Sequence, residues 1–146
     1  MKDETLSGFR KTARRVLEIE SRAVARLAER LDENFDRAVQ MLTGCQGRVV
    51  VTGMGKSGVI CQKIASTLSS TGTPALFMHP AEALHGDLGM IVSGDLLLAV
   101  SNSGETDEVV RLLELVRRLG AKIVSLTGNS SSTLARHSTR EKFTRH

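Results

Sequence analysis

The chain has 146 residues, of which 40% are hydrophobic and 25% charged, with 13 Gly, 2 Pro and a formal net charge of +4. That length and mixture fit one globular domain that buries roughly 68–70% of its unfolded surface, so a core forms without a disulfide or metal staple. They exclude collagenous and disordered classes, and the longest apolar run, Leu96 to Val100, is far below the roughly 20 residues of a bilayer span.

The amino-terminal segment, Met1-Lys2-Asp3-Glu4-Thr5, leads into an amphipathic pattern and not into the apolar stretch of a signal peptide, which points away from export. Residues 5–43 read as helix. Leu6, Phe9, Ala13, Val16, Leu17, Val24, Leu27 and Leu31 recur at steps of three and four, on one stripe. Asp32 is placed to cap a second helix through Phe35, Ala38, Val39 and Leu42, stopped at Gly44. The stripe departs from a strict heptad, so packing against the domain or a second subunit is expected in place of an autonomous coiled coil. Residues 1–44 are taken as this helical segment.

The cysteines, Cys45 and Cys61, have no CxxC spacing and no histidine at ligand spacing, so a disulfide framework or zinc site is not expected and a cytoplasmic location is. With four Phe and no Trp or Tyr, the chain lacks the stacking platform of a single-strand nucleic-acid binder.

From residue 48 the pattern changes to short apolar runs: Val49–Val51, Pro74–Met78, Leu96–Val100 and Ile123–Leu126, starting 22 to 27 residues apart. Continuous apolar strands are buried on both faces, which means a parallel sheet with helical crossovers. The fold class expected for residues 45–137 is therefore α/β, an open, doubly wound, mainly parallel sheet flanked by helices. Ligands of such folds bind beyond the carboxyl ends of the strands.

The first strand-end loop is Gly53-Met54-Gly55-Lys56-Ser57-Gly58, a formal GxGxxG match. A dinucleotide site would carry an acidic residue about 20 positions on, where Met78-His79-Pro80 stands, and Val50 occupies the place of the first Walker A glycine. What remains is an anion site built from backbone N–H groups, glycines, Lys56 and Ser57, or glycines serving a tight turn alone. After the second strand, His79-Pro80-Ala81-Glu82-Ala83-Leu84-His85 places two of the four histidines within seven residues, which suits proton transfer or ligand binding. The third strand ends in Ser101-Asn102-Ser103-Gly104-Glu105-Thr106-Asp107-Glu108. Ser101, Ser103 and Thr106 offer three hydroxyls around a helix start, either as a phosphate cradle or as helix capping with Glu105 or Glu108 in the first turn.

Basicity is concentrated at the end. Residues 1–135 are within one unit of charge balance, whereas residues 136–146 hold four basic residues against Glu141. A solvated tail explains this better than a nucleic-acid face, so no nucleic-acid partner is expected. Residues 138–146 are read as a basic polar tail, disordered or aberrant.

The combination of Gly53-Met54-Gly55-Lys56-Ser57-Gly58, His85-Gly86-Asp87-Leu88-Gly89-Met90 and Ser101-Asn102-Ser103-Gly104-Glu105-Thr106 closely resembles the sugar isomerase (SIS) domain of arabinose-5-phosphate isomerases, over about residues 10–137. The Ser-x-Ser-Gly-Glu loop is common to SIS domains, and the other two segments are more specific to this branch. The resemblance implies a flavodoxin-like three-layer sandwich. It also implies interconversion of D-ribulose 5-phosphate and D-arabinose 5-phosphate through a cis-enediol, on the route to 3-deoxy-D-manno-octulosonate in lipopolysaccharide.

Carried over by motif position, Lys56 and Glu108 fall on catalytic positions, with His85 beside them. Gly72, Thr73, His79 and His85 fall on substrate-contacting ones, alongside Gly55, Ser57, Ser101, Ser103 and Thr106 in the loops. His79 is also a candidate ligand for a divalent metal, and no cofactor is required. By position alone Glu105 competes with Glu108 as the base. The resemblance further implies a pentose 5-phosphate as partner and a homo-oligomer, tetrameric in full-length relatives. Those relatives continue past this length with further active-site residues and usually a pair of CBS domains, and where another apolar strand would follow His137 this chain is polar, so a truncated and weakly active isomerase is expected. A non-catalytic sugar-phosphate-binding regulatory module is the alternative function.

Overall fold

The computed structural model describes residues 2–138, with side chains from Ser7 onward. The chain divides into two compact units, Met1–Arg37 and Ala38–His146. The first is dominated by α1 (Lys2–Ala28), whose apolar residues Phe9, Val16, Leu17, Val24 and Leu27 stand exposed. A turn at 29–32 ends in Asp32, whose Oδ1 accepts from the backbone N–H of Asn34 at 2.9 Å and of Phe35 at 3.4 Å. These bonds satisfy donors left free at the start of α2 (Glu33–Thr43), so the cap expected from the sequence is present.

The second unit is an α/β sandwich around β1 (Val49–Gly53), β2 (Ala75–Phe77), β3 (Leu96–Val100) and β4 (Lys122–Leu126), all parallel, in the order β2-β1-β3-β4. In register, Val49 faces Ala75 on one side and Leu96 on the other, and Leu96 faces Lys122. The second and fourth strands differ from the predicted runs by one residue at their ends, because pairing and not hydropathy sets where a strand stops.

Why the strands are predominantly apolar follows from the period of two. Val49, Val51, Leu96, Leu98 and Val124 point to one face, where they meet Met41 of α2 and Cys61 and Ala65 of α3 (Gly55–Ser70). Val50, Leu97, Ala99 and Ile123 point to the other, where α4 (Pro80–His85), α5 (Asp107–Arg118) and α6 (Thr133–His137) lie. Helix α5 supplies Val109, Leu112, Leu113 and Val116 at helical spacing, and α6 supplies Leu134, all buried. Both faces of the central strands β1 and β3 are thus sealed, while the edge strands β2 and β4 are less fully covered. The thiol of Cys61 donates to the Thr52 carbonyl at 3.2 Å, and burial pushes its pKa up to about 11.

At the amino ends of β1 and β3, Asp95 forms a buried latch. Its Oδ1 accepts from the Arg48 backbone N–H at 2.8 Å, and its Oδ2 from the Val92 N–H at 3.1 Å and the Arg48 guanidinium at 3.2 Å. The guanidinium also reaches the Met90 carbonyl, which closes the 3₁₀ turn Asp87–Met90. Burial by itself would raise the Asp95 pKa, but the bonds from Arg48 and Val92 outweigh it and hold the carboxyl below its ordinary value. A depressed folded-state pKa contributes stability that is present above the unfolded value of about 3.9 and is lost as pH falls through the folded value. Urea unfolding should show stability falling below about pH 4 in the wild type. Asp95→Asn should cost about 1–3 kcal/mol at pH 7 and flatten that acid limb.

Candidate functional site

In this strand order the chain leaves β1 through α3 toward β2, and leaves β3 through α5 toward β4. The two connections diverge to opposite sides of a cleft between the carboxyl ends of β1 and β3, the place where open α/β sheets bind ligands. The loops bordering that cleft are residues 53–58 and 101–107.

The first loop is shaped by its glycines. A Cβ on Gly53 would sit 2.9 Å from Val100 O and 2.9 Å from Cys61 Sγ, and one on Gly58 would sit 2.7 Å from Gly53 O. The strand end and the start of α3 therefore approach more closely than any side chain permits. Gly55, at φ +53°, adopts the left-handed region that glycine tolerates best. Met54 precedes α3 without capping it through its side chain, and no acidic residue lies in the first turn. The helix start thus presents uncapped N–H groups with Lys56 exposed and Ser57 half-buried beside them.

The second loop is more tightly bound to itself. Ser101, 4% exposed, accepts from the Gly104 N–H at 3.1 Å and lies 2.9 Å from the Thr106 hydroxyl. Ser103 stays exposed, and its Oγ accepts from the Glu105 N–H at 3.2 Å. Thr106 precedes α5 but gives it no side-chain cap, so capping does not account for its hydroxyl. Of the three predicted hydroxyls, Ser101 and Thr106 are thus spent on loop shape, and Ser103 is the one that faces solvent.

Glu105 and Glu108, alternatives by sequence, diverge here. Glu105 Oε1 accepts from the Thr133 backbone N–H at 2.7 Å. Hydrogen bonds from Thr133, its backbone N–H first, hold the Glu105 carboxyl below the usual range. Glu108 lies half-buried in the first turn of α5. Among the described residues, neither Glu108 nor Lys56 is held in an ion pair, whereas Asp107 pairs with Arg111 at 2.8 Å.

His79 and His85 begin and end the segment that follows β2, on the same carboxyl edge of the sheet. His79 is half-buried edge-on to Phe77, with ring centroids 6.4 Å apart, and its buried Nδ1 has no hydrogen-bond partner among the described residues. A buried imidazole nitrogen of this kind is suited to a ligand or a proton. His85 is exposed at the end of α4, followed by Gly86 at φ +142°. No group of three or more His, Cys, Asp or Glu converges among the described residues, so His79 has no companions there with which to hold a divalent metal.

Gly72 and Thr73 are placed elsewhere. They precede β2, and a parallel strand starts at the edge opposite to the one where β1 and β3 end, so these two residues do not border the cleft. Two residues that positioning depends on escaped the sequence reading. Thr52, fully buried, donates from Oγ1 to the Met78 carbonyl at 2.7 Å and fixes the peptide before His79 to the end of β1. Ser132, also fully buried, caps α6 by accepting from the Ala135 N–H at 3.2 Å. A hydroxyl directly after an apolar run, before the glycine loop, is the signal that could have found Thr52.

A sheet of this order with glycine-lined and hydroxyl-lined loops at its switch point defines an open, doubly wound α/β domain, and the family profile described as the SIS domain matches residues 41–144. The chain belongs to the SIS domain family. It is 52% identical over 128 residues to the arabinose 5-phosphate isomerase KdsD of Pseudomonas aeruginosa, an alignment covering 88% of this chain and 39% of that protein. It is 46% identical over 127 residues to the arabinose 5-phosphate isomerase KpsF of Escherichia coli O6:H1, covering 86% of this chain and 39% of that one. The chain thus spans about two fifths of the length of these curated relatives. Among solved structures, a protein of E. coli CFT073 in complex with arabinose 5-phosphate superposes with a TM-score of 0.80 at 40% identity, covering 84% of this chain and 65% of that one.

Gly104 tests how far this loop tolerates change. It has φ +68°, and a Cβ there would fall 2.2 Å from Ser132 Oγ. Gly104→Ala should destabilise the fold by about 1–3 kcal/mol through backbone strain and displacement of the α6 cap, read as a lowered urea midpoint.

Proposed function

We propose that this chain is the sugar-phosphate-binding domain of an arabinose 5-phosphate isomerase, interconverting D-ribulose 5-phosphate and D-arabinose 5-phosphate. The observation that carries the reading is the cleft between β1 and β3, where two phosphate-type loops face each other beside Lys56 and Glu108, both outside any ion pair among the described residues. The identity to isomerases and the neighbour bound to arabinose 5-phosphate support the same substrate class.

In this reading the α3 start, Ser57 and Ser103 hold the phosphate through N–H and O–H donors. Glu108 removes the proton on the carbon beside the carbonyl, and His79 or His85 supplies a proton to the carbonyl oxygen, giving the cis-enediol. Lys56 stabilises the negative charge that develops on oxygen. Glu108 then returns its proton to the neighbouring carbon while the hydroxyl on the first carbon gives its proton back to the same histidine and becomes the aldehyde carbonyl. Ketose is thus exchanged for aldose with no net change in protons. None of these steps needs a metal. Self-association and a cytoplasmic location belong to the same proposal, and no described helix is long and apolar enough to cross a membrane.

If the two loops form one phosphate site, arabinose 5-phosphate should raise the melting temperature and arabinose should not. The stabilisation follows RT ln(1 + [L]/Kd), about 2.7 kcal/mol at a hundred times Kd. Equal shifts from both sugars would refute the site. In deuterium oxide the proton beside the carbonyl of ribulose 5-phosphate should exchange with solvent, followed by NMR. Lys56→Ala and Glu108→Gln should each slow this exchange by roughly 10²–10⁴-fold. Binding without any exchange would favour a regulatory module.

A further inference from the structure

The loop that follows β3 does not stand alone. Four contacts fasten it to residues 127–134, the segment that leaves β4 and starts α6. Gly128 N–H donates to Asn102 O at 3.0 Å and Leu134 N–H to Gly104 O at 3.0 Å. The Thr127 hydroxyl donates to Asn102 O at 3.4 Å, and Thr133 N–H to Glu105 Oε1 at 2.7 Å. Three of these contacts end on main-chain carbonyls that any residue would provide. Glu105 is the one side chain of the serine loop that reaches across in these four.

We propose that Glu105 is a positioning residue, a clamp that sets the serine loop by holding the first backbone N–H of α6, and that it takes no proton from substrate. This rests on the sugar-phosphate reading of the cleft. The carboxylate that sequence position makes a rival base is already engaged with a donor 28 positions away, at the shortest distance of the four contacts. Its own N–H is bonded to Ser103 Oγ, so one residue couples the exposed hydroxyl of the loop to α6. Ser132 and Glu105 together occupy the start of α6, one from each side: Ser132 serves Ala135 N–H and Glu105 serves Thr133 N–H.

Three variants of the 146-residue chain separate a clamp from a base. Glu105→Ala removes the acceptor, and Glu105→Gln keeps an acceptor oxygen but no basic carboxylate. Thr133→Pro removes the donor, since proline suits the first helical position and Ser132 already has the extended backbone (φ −69°, ψ 162°) favoured before proline. The readouts are amide hydrogen exchange of residues 101–106 and 127–134, Kd for D-arabinose 5-phosphate, and the rate of deuterium exchange at saturating ribulose 5-phosphate. Glu105→Ala and Thr133→Pro should each speed amide exchange in both segments and raise Kd about fivefold to tenfold. The saturated rate should stay within about threefold, because the groups that touch the reacting atoms are kept. Glu105→Gln should remain near wild type in all three, and the double variant Glu105→Ala/Thr133→Pro should be no worse than either single one. A saturated rate lost as fully in Glu105→Gln as in Glu105→Ala would make Glu105 the base and overturn the clamp. Unchanged amide exchange in Glu105→Ala and Thr133→Pro would overturn it as well. Should the wild type bind no sugar phosphate, the reading of the cleft has failed, and the amide exchange of the same three variants still decides the clamp.

Discussion

Strand β1 is paired along both edges and covered on both faces, with Val49, Val50 and Val51 fully buried. Neither its peptide groups nor its side chains meet water except where it ends. Because β2 lies on one side of it and β3 on the other, the connections leaving β1 and β3 must part company, and the gap they leave is the cleft. The chemistry proposed for the protein is placed by this pairing requirement before any side chain is chosen. Helix starts converge there because each parallel strand must be followed by a crossover, and each crossover begins with donors that its own helix cannot use.

Close approach then decides which residues can line the gap. Gly53 and Gly58 let α3 begin against the strand, and Gly104 and Gly128 let the serine loop and the loop after β4 interlock: a Cβ on Gly128 would lie 2.7 Å from Asn102 Oδ1. Atoms are held by absence of bulk as much as by bonds. The hydroxyl of Ser101 adds the complementary part, filling the interior of its loop so that the exposed positions are left to Asn102, Ser103 and Glu105.

The architecture was legible because its signals are periodic. Apolar runs spaced by helix-length intervals lead to a parallel sheet, and Gly or hydroxyl clusters after them mark the edge that matters. The Asp32 cap was equally readable, since a cap is a local interaction among neighbours in sequence. What was not legible depends on contacts between distant segments. Position alone left both Glu105 and Glu108 open as the base, and the bond from Thr133 N–H to Glu105 joins segments too far apart in sequence to be foreseen. The resemblance names Gly72 and Thr73 as substrate-contacting, and the direction of β2 places them at the edge where that strand starts. The expected tail at 138–146 falls, apart from Ser138, outside the described residues, and the expected packing of the amino-terminal helices on the domain stays an expectation.

The Asp95 latch has a bearing on how this architecture can vary. It joins positions 47 residues apart at the edge of the sheet away from the cleft, so everything from α3 to the turn before β3 is a loop closed by this latch together with the β1–β3 ladder. The entropy lost on closing such a loop grows only with the logarithm of its length, about 0.6 kcal/mol for each doubling. An insertion in an exposed turn between β1 and β3 therefore costs little in closure, whereas α3, β2 and α4 are fixed by the core, where Cys61, Ala65, Met78 and Ala83 are buried. Arg48 and Asp95, which touch no ligand in the proposed reaction, thus constrain the stretch bearing His79 and His85 from the opposite edge of the sheet.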